Sequence, residues 1–467
     1  MAELAVSKRE EKLRRKLGRD YVPPTPYSVR KALTQGSVVT KLSALIFGLG
    51  NLVHKQYAKG ILLLLLEIGF IWYFVSSGFK NLSQLPSLGS QEQGKVLVDG
   101  YWTYTAGDNS VVILLYGVAA IVLILAFILL WRVSVQSAYK AEVLAKETGA
   151  APSFKDDLGE LADRRAHELL MFLPTLGILT FSVLPLIFMI SMAFTSYDHN
   201  HLVLFDWVGL KNFGAVFTNQ TGTVNLRIFM SVLTWTLVWA IFATFLNFFF
   251  GLFMAMIINR RTTRLKGMWR ALFSMSIAVP QFVSLLVINT MLQPQGAVNR
   301  LLMNWGWIDT ALPFFQDATW ARVTVIVVNL WVGIPYTIMQ ITGILQNIPA
   351  DQYEAARIDG ANTWQIFTKI TMPYIIFVLT PYLITTFTGN VNNFNVIYLL
   401  SGGAPVPVGD SAGKTDLLIT WLYKLTVDKN DYNLGAVIGI LTFIVLAVVS
   451  LITYRNSGSY KNEEAFR

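Results

Sequence analysis

The chemistry most out of place in this chain is amide chemistry inside apolar sequence. Asn390, Asn392 and Asn393 lie within TTFTGNVNNFNVIYLL. An unpaired amide in hydrocarbon is costly, so these side chains are expected to face protein or water. Thr386, Asn390 and Asn393 follow one another at spacings of four and three, which places them on one helical face, whereas Asn392 points elsewhere. A second stripe, Asn329, Gly333 and Tyr336, recurs at i, i+4 and i+7 within NLWVGIPYTI, with Pro335 loosening the local backbone ladder. Amides both donate and accept, and a phenol ring can stack on a pyranose. With no acidic or basic cluster nearby, the two stripes suit a neutral sugar better than an ion.

A different chemistry, that of docking, sits in Glu354 to Pro373, EAARIDGANTWQIFTKITMP. Asp351 and Glu354 have capping-box spacing just after Pro349, predicting a short helix through Tyr353, Ala355, Ala356 and Ile358. Gly360 suits a left-handed terminating position, and Asn362 with Gln365 repeats the cap for a second helix carrying Trp364, Phe367 and Ile370. Small Ala355, Ala356 and Ala361 at the bend would let another backbone approach. The apolar residues beside them need a partner groove.

Both features require a membrane scaffold. The chain is 54% hydrophobic and 14% charged, with apolar runs near the roughly 20 residues that cross a bilayer. In lipid each backbone must satisfy itself, so the expected fold class is all-α, a polytopic helical bundle. Eight spans are expected, at 61–79, 111–131, 169–194, 228–258, 271–291, 323–345, 374–396 and 434–453. The net charge of +9 resides in loops: Arg260, Arg261, Arg264, Lys266 and Arg270 in one, and Arg132, Lys140, Lys146, Lys155, Arg164 and Arg165 in another. These loops, and with them both termini, are expected to be cytoplasmic, and no nucleic-acid partner is implied. Around the spans, residues 1–40 read as a basic cytoplasmic arm with the stiff joint YVPPTP, and 41–54 as an interfacial helix. The interfacial helix and first two spans form a segment 41–150, followed by a six-helix core 151–455 containing the docking loop 349–373, and a cytoplasmic tail 456–467. Prolines at 174, 185, 280, 335 and 381 predict kinks. Glu67, alone in the first span, predicts an intramembrane functional role, a structural hydrogen bond or a lipid-interface role.

Other chemistry is excluded or weak. The absence of cysteine removes disulfides, thiolate metal sites and thiol nucleophiles. The amino terminus lacks the pattern of a cleavable signal. GDSAGKT, 409–415, has three residues between its glycines where a phosphate loop has four. His199 and His201 are too few for a structural zinc site, so no metal is expected.

The docking segment resembles the EAA loop of ABC-importer permeases, matching at Glu354, Ala355, Ala356, Gly360, Ile370 and Pro373, with Met372 where the family often has Leu. The resemblance implies a type I importer permease that is not itself an enzyme. It assigns Glu354 to polar anchoring and Gly360, beside Asp359, to the bend of a coupling helix seated on a cytoplasmic ATPase. The stripes NLWVGIPY and GNVNNF are similar to the larger permease of maltose-type importers, as are WVGLKNF (207–213) and SGGAP (401–405). That likeness covers about 165–455 and places the substrate site on Asn329, Gly333, Tyr336, Thr386, Asn390 and Asn393. It differs at Gly389, where the maltose permease tends to have an aromatic, and in its short loop between the third and fourth spans. The family implies a second permease, two copies of an ABC ATPase carrying ATP and Mg, an extracellular sugar-binding protein, and surrounding lipid in a bacterial plasma membrane. Maltodextrin is the favoured cargo, with raffinose-like or galacto-oligosaccharides as alternatives. A secondary transporter would leave the EAA segment unexplained, and a lipid-linked-sugar enzyme would need a carboxylate pair or metal cluster that the sequence lacks.

Overall fold

The computed structural model describes residues 27–98, 100–163, 165–218, 224–260 and 262–456. The arm through Pro26 with its YVPPTP joint, the basic residues Arg164 and Arg261, and the tail after 456 lie outside the described residues. The chain forms two compact units, one through Phe188 and one from Met189.

In the first unit, α1 (Val29–Gln35), α2 (Val38–Leu42) and α3 (Leu49–Val53) precede α4 (Tyr57–Tyr73), which continues through a π turn at Phe74–Gly78 into α5 (Phe79–Gln84). A hairpin of β1 (Gly94–Val98) and β2 (Tyr101–Thr105) leads to α6 (Ser110–Thr148) and α7 (Phe154–Ala162). Then α8 (Ala166–Ile178), a π turn at Leu179–Val183 and α9 (Leu184–Met192) form one 27-residue apolar rod.

The expected interfacial helix at 41–54 is broken in two. The backbone N–H groups of Phe47 and Gly48 donate to Glu67 Oε2 (2.8 Å) and Ser134 Oγ (3.1 Å) instead of to helix carbonyls. Side chains from two spans thus outcompete the local ladder. Glu67 is 7% exposed, and this bond gives the isolated acid its structural role. Glu67→Ala should lower stability by about 1–3 kcal/mol through the orphaned amide of Phe47. Glu67→Gln, which keeps an acceptor, should cost less; thermal unfolding in detergent compares the two.

The second unit contains α10 (Lys211–Phe217), α11 (Leu226–Asn259), α12 (Lys266–Ala278), α13 (Gln281–Met291), α14 (Ala297–Asn304), α15 (Ala318–Asn347), α16 (Ala350–Ile358) and α17 (Thr363–Ile366). After a π turn at Phe367–Thr371 follow α18 (Met372–Val391), α19 (Phe394–Leu400), α20 (Leu418–Tyr423), a further π turn at Lys424–Asp428, and α21 (Tyr432–Asn456).

Among the described residues seven helical rods are long and apolar enough to cross a membrane, and an eighth crossing exists if α12 and α13 count as one, bent by 84°. The kink expected at Pro280 within the fifth span, 271–291, is present as a full break between two helices. Pro280 cannot donate to a continuing helix and instead occupies the N-cap of α13. Pro335 and Pro381, by contrast, sit inside unbroken helices.

Three apolar layers are strung along α11. The first gathers Ile228, Phe229 and Val232 with Trp421 and Val437, the second Trp235, Trp239 and Ala243 with Val325 and Ile397. The third joins Phe248, Leu252 and Ile258 to Ile338, Ile341 and Ile375. Between the second and third layers the sequence of α11 changes to Thr244 and Asn247.

Candidate functional site

A cavity of about 190 Å³ opens at that polar seam, where α11, α15 and α18 pass between two apolar layers. Asn329, Gly333, Tyr336, Thr386, Asn390 and Asn393 all line it, so the two stripes read from sequence meet. Thr244, Asn247, Gln281 and Tyr382 join them. A lone amide in the run FLNFFF was the available signal for Asn247, the same signal that singled out Asn390. Gln281 and Tyr382 carry no such mark, because their placement depends on the bend at Pro280 and on the rotation of α18.

One expectation changes. The seventh span is not continuous through Asn393, because α18 ends at Val391 with Asn392 as its C-cap. Asn393 instead begins α19, its Oδ1 accepting from the Val396 N–H at 3.2 Å. This cap turns the chain while leaving Asn393 at the cavity, where its Nδ2 donates to Asn390 Oδ1 at 3.4 Å. Asn390 is anchored further: its Nδ2 donates to Thr244 Oγ1 (3.0 Å) and its carbonyl accepts from Trp239 Nε1 (3.0 Å).

Two lining amides are incompletely paired. Asn247 and Asn329 are 7% and 3% exposed, yet Asn247 Oδ1 and Asn329 Nδ2 have no hydrogen-bond partner in the protein. An unpaired buried polar atom costs roughly 1–3 kcal/mol. Both residues line the cavity, so its wall holds one unspent acceptor and one unspent donor, each closed to water until the wall moves. A hydroxyl group, which both donates and accepts, matches that pair. Tyr336, 49% exposed, adds a ring face.

The docking loop stands apart from this cavity. In α16, Glu354, Ala355, Ile358 and Asp359 are exposed while Ala356 is half-buried, and Gly360 has φ +78°. The expected cap at Asp351 and Glu354 does not form, because Pro349 takes the N-cap position without a side-chain bond. The second cap does form: Asn362 Oδ1 accepts from the Gln365 N–H and Gln365 Oε1 from the Asn362 N–H, both at 2.9 Å. The helix it starts is the leading end of the seventh span, because the π turn holding half-buried Ile370 runs into α18, with exposed Pro373 in its first turn. Tyr353 Oη meets Thr371 Oγ1 at 3.1 Å, tying α16 to that rod, while Ile358 is 87% exposed and Trp364, beside the Phe367 ring at 5.6 Å, is 70% exposed.

The remaining candidates have local partners. In GDSAGKT the N–H groups of Gly413, Lys414 and Thr415 donate to Asp416 Oδ2, the Pro405 carbonyl and the Gly403 carbonyl, leaving no amide nest for phosphate. His199 Nδ1 pairs with Asp431 and His201 Nδ1 with Asp198, both at 2.8 Å. Among the described residues no three His, Asp or Glu side chains converge as metal ligands.

Comparison with known proteins agrees with this architecture. Residues 247–458 match the family described as binding-protein-dependent transport system inner membrane component. The chain is 34% identical to the galactooligosaccharides transport system permease protein of Bacillus subtilis, over 91% of this chain and 99% of that one. It is 33% identical to the maltodextrin transport system permease protein of Streptococcus pneumoniae, over 91% and 96%. Its fold is similar to a chain of a bacterial alginate ABC transporter solved with an alginate pentasaccharide-bound periplasmic protein, at 23% identity and TM-score 0.52, covering 63% of this chain and 96% of that chain. With its helical membrane rods and near full-length likeness, the chain belongs to the inner-membrane permease subunits of sugar-importing ABC transporters.

Proposed function

We propose that this subunit carries an oligosaccharide of the maltodextrin class inward by alternating access through the cavity between α11, α15 and α18. The observation that carries the reading is the pair of buried, unpartnered atoms, Asn247 Oδ1 and Asn329 Nδ2, in a cavity with an exposed tyrosine face. Asn329, Tyr336, Thr386, Asn390 and Asn393 bond or stack on the sugar, and Gly333 keeps the wall thin enough to admit it. At 190 Å³ the cavity is below the range of about 300–1,000 Å³ usual for ligand sites. A second permease subunit therefore supplies the rest of the site.

The loop 349–373 seats on one of two copies of a cytoplasmic ATPase, which hold ATP and Mg; this chain carries no cofactor. Glu354 and Asp359 provide polar anchors, Ala355 and Ala356 the close approach, and Gly360 the bend. Ile370 and Pro373 transmit movement into the seventh span. Exposed Ile358 and Trp364 favour this docking, since such surface is normally covered by a partner. A sugar-binding protein delivers cargo from outside, and both termini are cytoplasmic in the bacterial plasma membrane. Galacto-oligosaccharide is the second reading, favoured by the similarity to the Bacillus permease. A binding screen of the copurified assembly with α-1,4-linked glucans and β-linked galactans separates them. Retention of glucans is expected. Retention of galactans alone would replace the first cargo by the second, and retention of neither would remove the sugar assignment.

A further inference from the structure

The first unit contains its own polar cavity, an open one of about 640 Å³, lined by the C-terminal part of the first rod and the start of α6. One wall is a stripe of Tyr73, Ser77, Lys80, Asn81 and Gln84, presented by the end of α4, the π turn and α5. The opposite wall is Asp108 and Asn109 with Tyr116.

That wall is braced. Asp108 Oδ2 accepts from the N–H groups of Ser90 (2.9 Å) and Gln91 (3.0 Å), and the Asp108 N–H donates to the Gln91 carbonyl at 2.8 Å. These two backbone bonds hold the Asp108 carboxyl below the ordinary carboxylate range, with Lys80 adding a smaller attraction. One lysine and one aspartate leave the lining without net charge. A phosphate would need surplus positive charge and a divalent cation several carboxylates, so neither fits. Three amides, two tyrosines and two serines fit a neutral polyhydroxylated group, and the volume lies within the range of about 300–1,000 Å³ for ligand sites.

We propose that this cavity is a second saccharide site, in which Asn81 and Gln84 bond hydroxyls and Tyr73 and Tyr116 supply ring faces. The pyranose comes from free cargo or from the headgroup of a glycolipid. Only the first source rests on the sugar-import reading. Because the site lies wholly in the amino-terminal unit, it is independent of the cavity beside Tyr336.

The test is photolabelling of the purified assembly with a diazirine-bearing maltotriose, in nanodiscs of phosphatidylglycerol and phosphatidylethanolamine, with adducts mapped by mass spectrometry. Adducts within 73–84 or 107–116 are expected. Competition by unlabelled maltodextrin assigns the site to cargo. Competition only when diglucosyl diacylglycerol is added to the nanodisc assigns it to lipid. Asn81→Leu with Gln84→Leu should reduce these adducts about tenfold while adducts near Tyr336 persist, and Tyr116→Phe, a milder change, guards against misfolding of the double variant. Adducts confined to the Tyr336 cavity, or adducts that neither competitor removes, would overturn the proposal. Labelling of the first unit without any near Tyr336 would instead remove the central-cavity assignment and leave this one standing.

Discussion

Gly333→Ala is expected to abolish most sugar uptake while the chain still inserts. A Cβ built at Gly333 would lie 2.1 Å from Asn247 Nδ2 and 2.5 Å from its Cγ. Asn247 cannot simply swing aside, because its Nδ2 donates to the Ala243 carbonyl at 2.7 Å and the residue is buried. Either α11 and α15 separate or the Asn247 amide leaves the cavity wall. Overpacking of this kind costs about 1–3 kcal/mol, and displacement of the amide also removes its acceptor from the site. A cycle with Asn247→Ala separates the two effects. The double variant should regain the thermal stability lost in Gly333→Ala, because the clash is gone, yet uptake should stay low because the acceptor is missing. Full recovery of uptake in the double variant would show that Asn247 acts only in packing.

The second large effect is expected at the docking loop. Gly360→Val must place a β-branched residue at φ +78°, a region open to glycine at little cost. The turn between α16 and α17 should change direction, and with it the aim of Glu354 and Trp364. Substrate-stimulated ATP hydrolysis by the assembly should fall to its basal level, whereas assembly size and the saccharide-binding cavity remain. Glu354→Ala, a change at an exposed position with no backbone demand, should weaken ATPase association without altering the fold of the permease. Undiminished stimulated hydrolysis in both variants would remove the coupling role from this loop.

Much of this architecture was legible because the bilayer makes apolar length informative and intramembrane amides conspicuous. The stripe Asn329, Gly333 and Tyr336 could be read as a face from spacing alone, Gly360 and the Asn362–Gln365 cap could be read from local backbone chemistry, and Asn393 reaches the cavity as a cap beyond the end of α18 and not on its face. What escaped depended on tertiary partners. Glu67 and Ser134 capture two amides and split the interfacial helix, which no local pattern announces. The bend at Pro280 brings Gln281 to the cavity although it lies in a different rod from the stripes. The hairpin 94–105 was missed because a short strand pair between two spans is weak against the helical periodicity around it.

The central claim is that the polar seam between the second and third apolar layers receives the sugar. Saturation uptake into proteoliposomes containing the whole importer, for wild type, Asn329→Ala and Tyr336→Ala, tests it most directly. Asn329 Nδ2 has no partner in the protein and Tyr336 is half exposed, so neither truncation breaks a hydrogen bond that the fold relies on. Each variant should assemble normally and lose about tenfold or more in uptake efficiency, the equivalent of one lost hydrogen bond or ring contact. Normal assembly with unchanged uptake of every oligosaccharide tested would contradict the account.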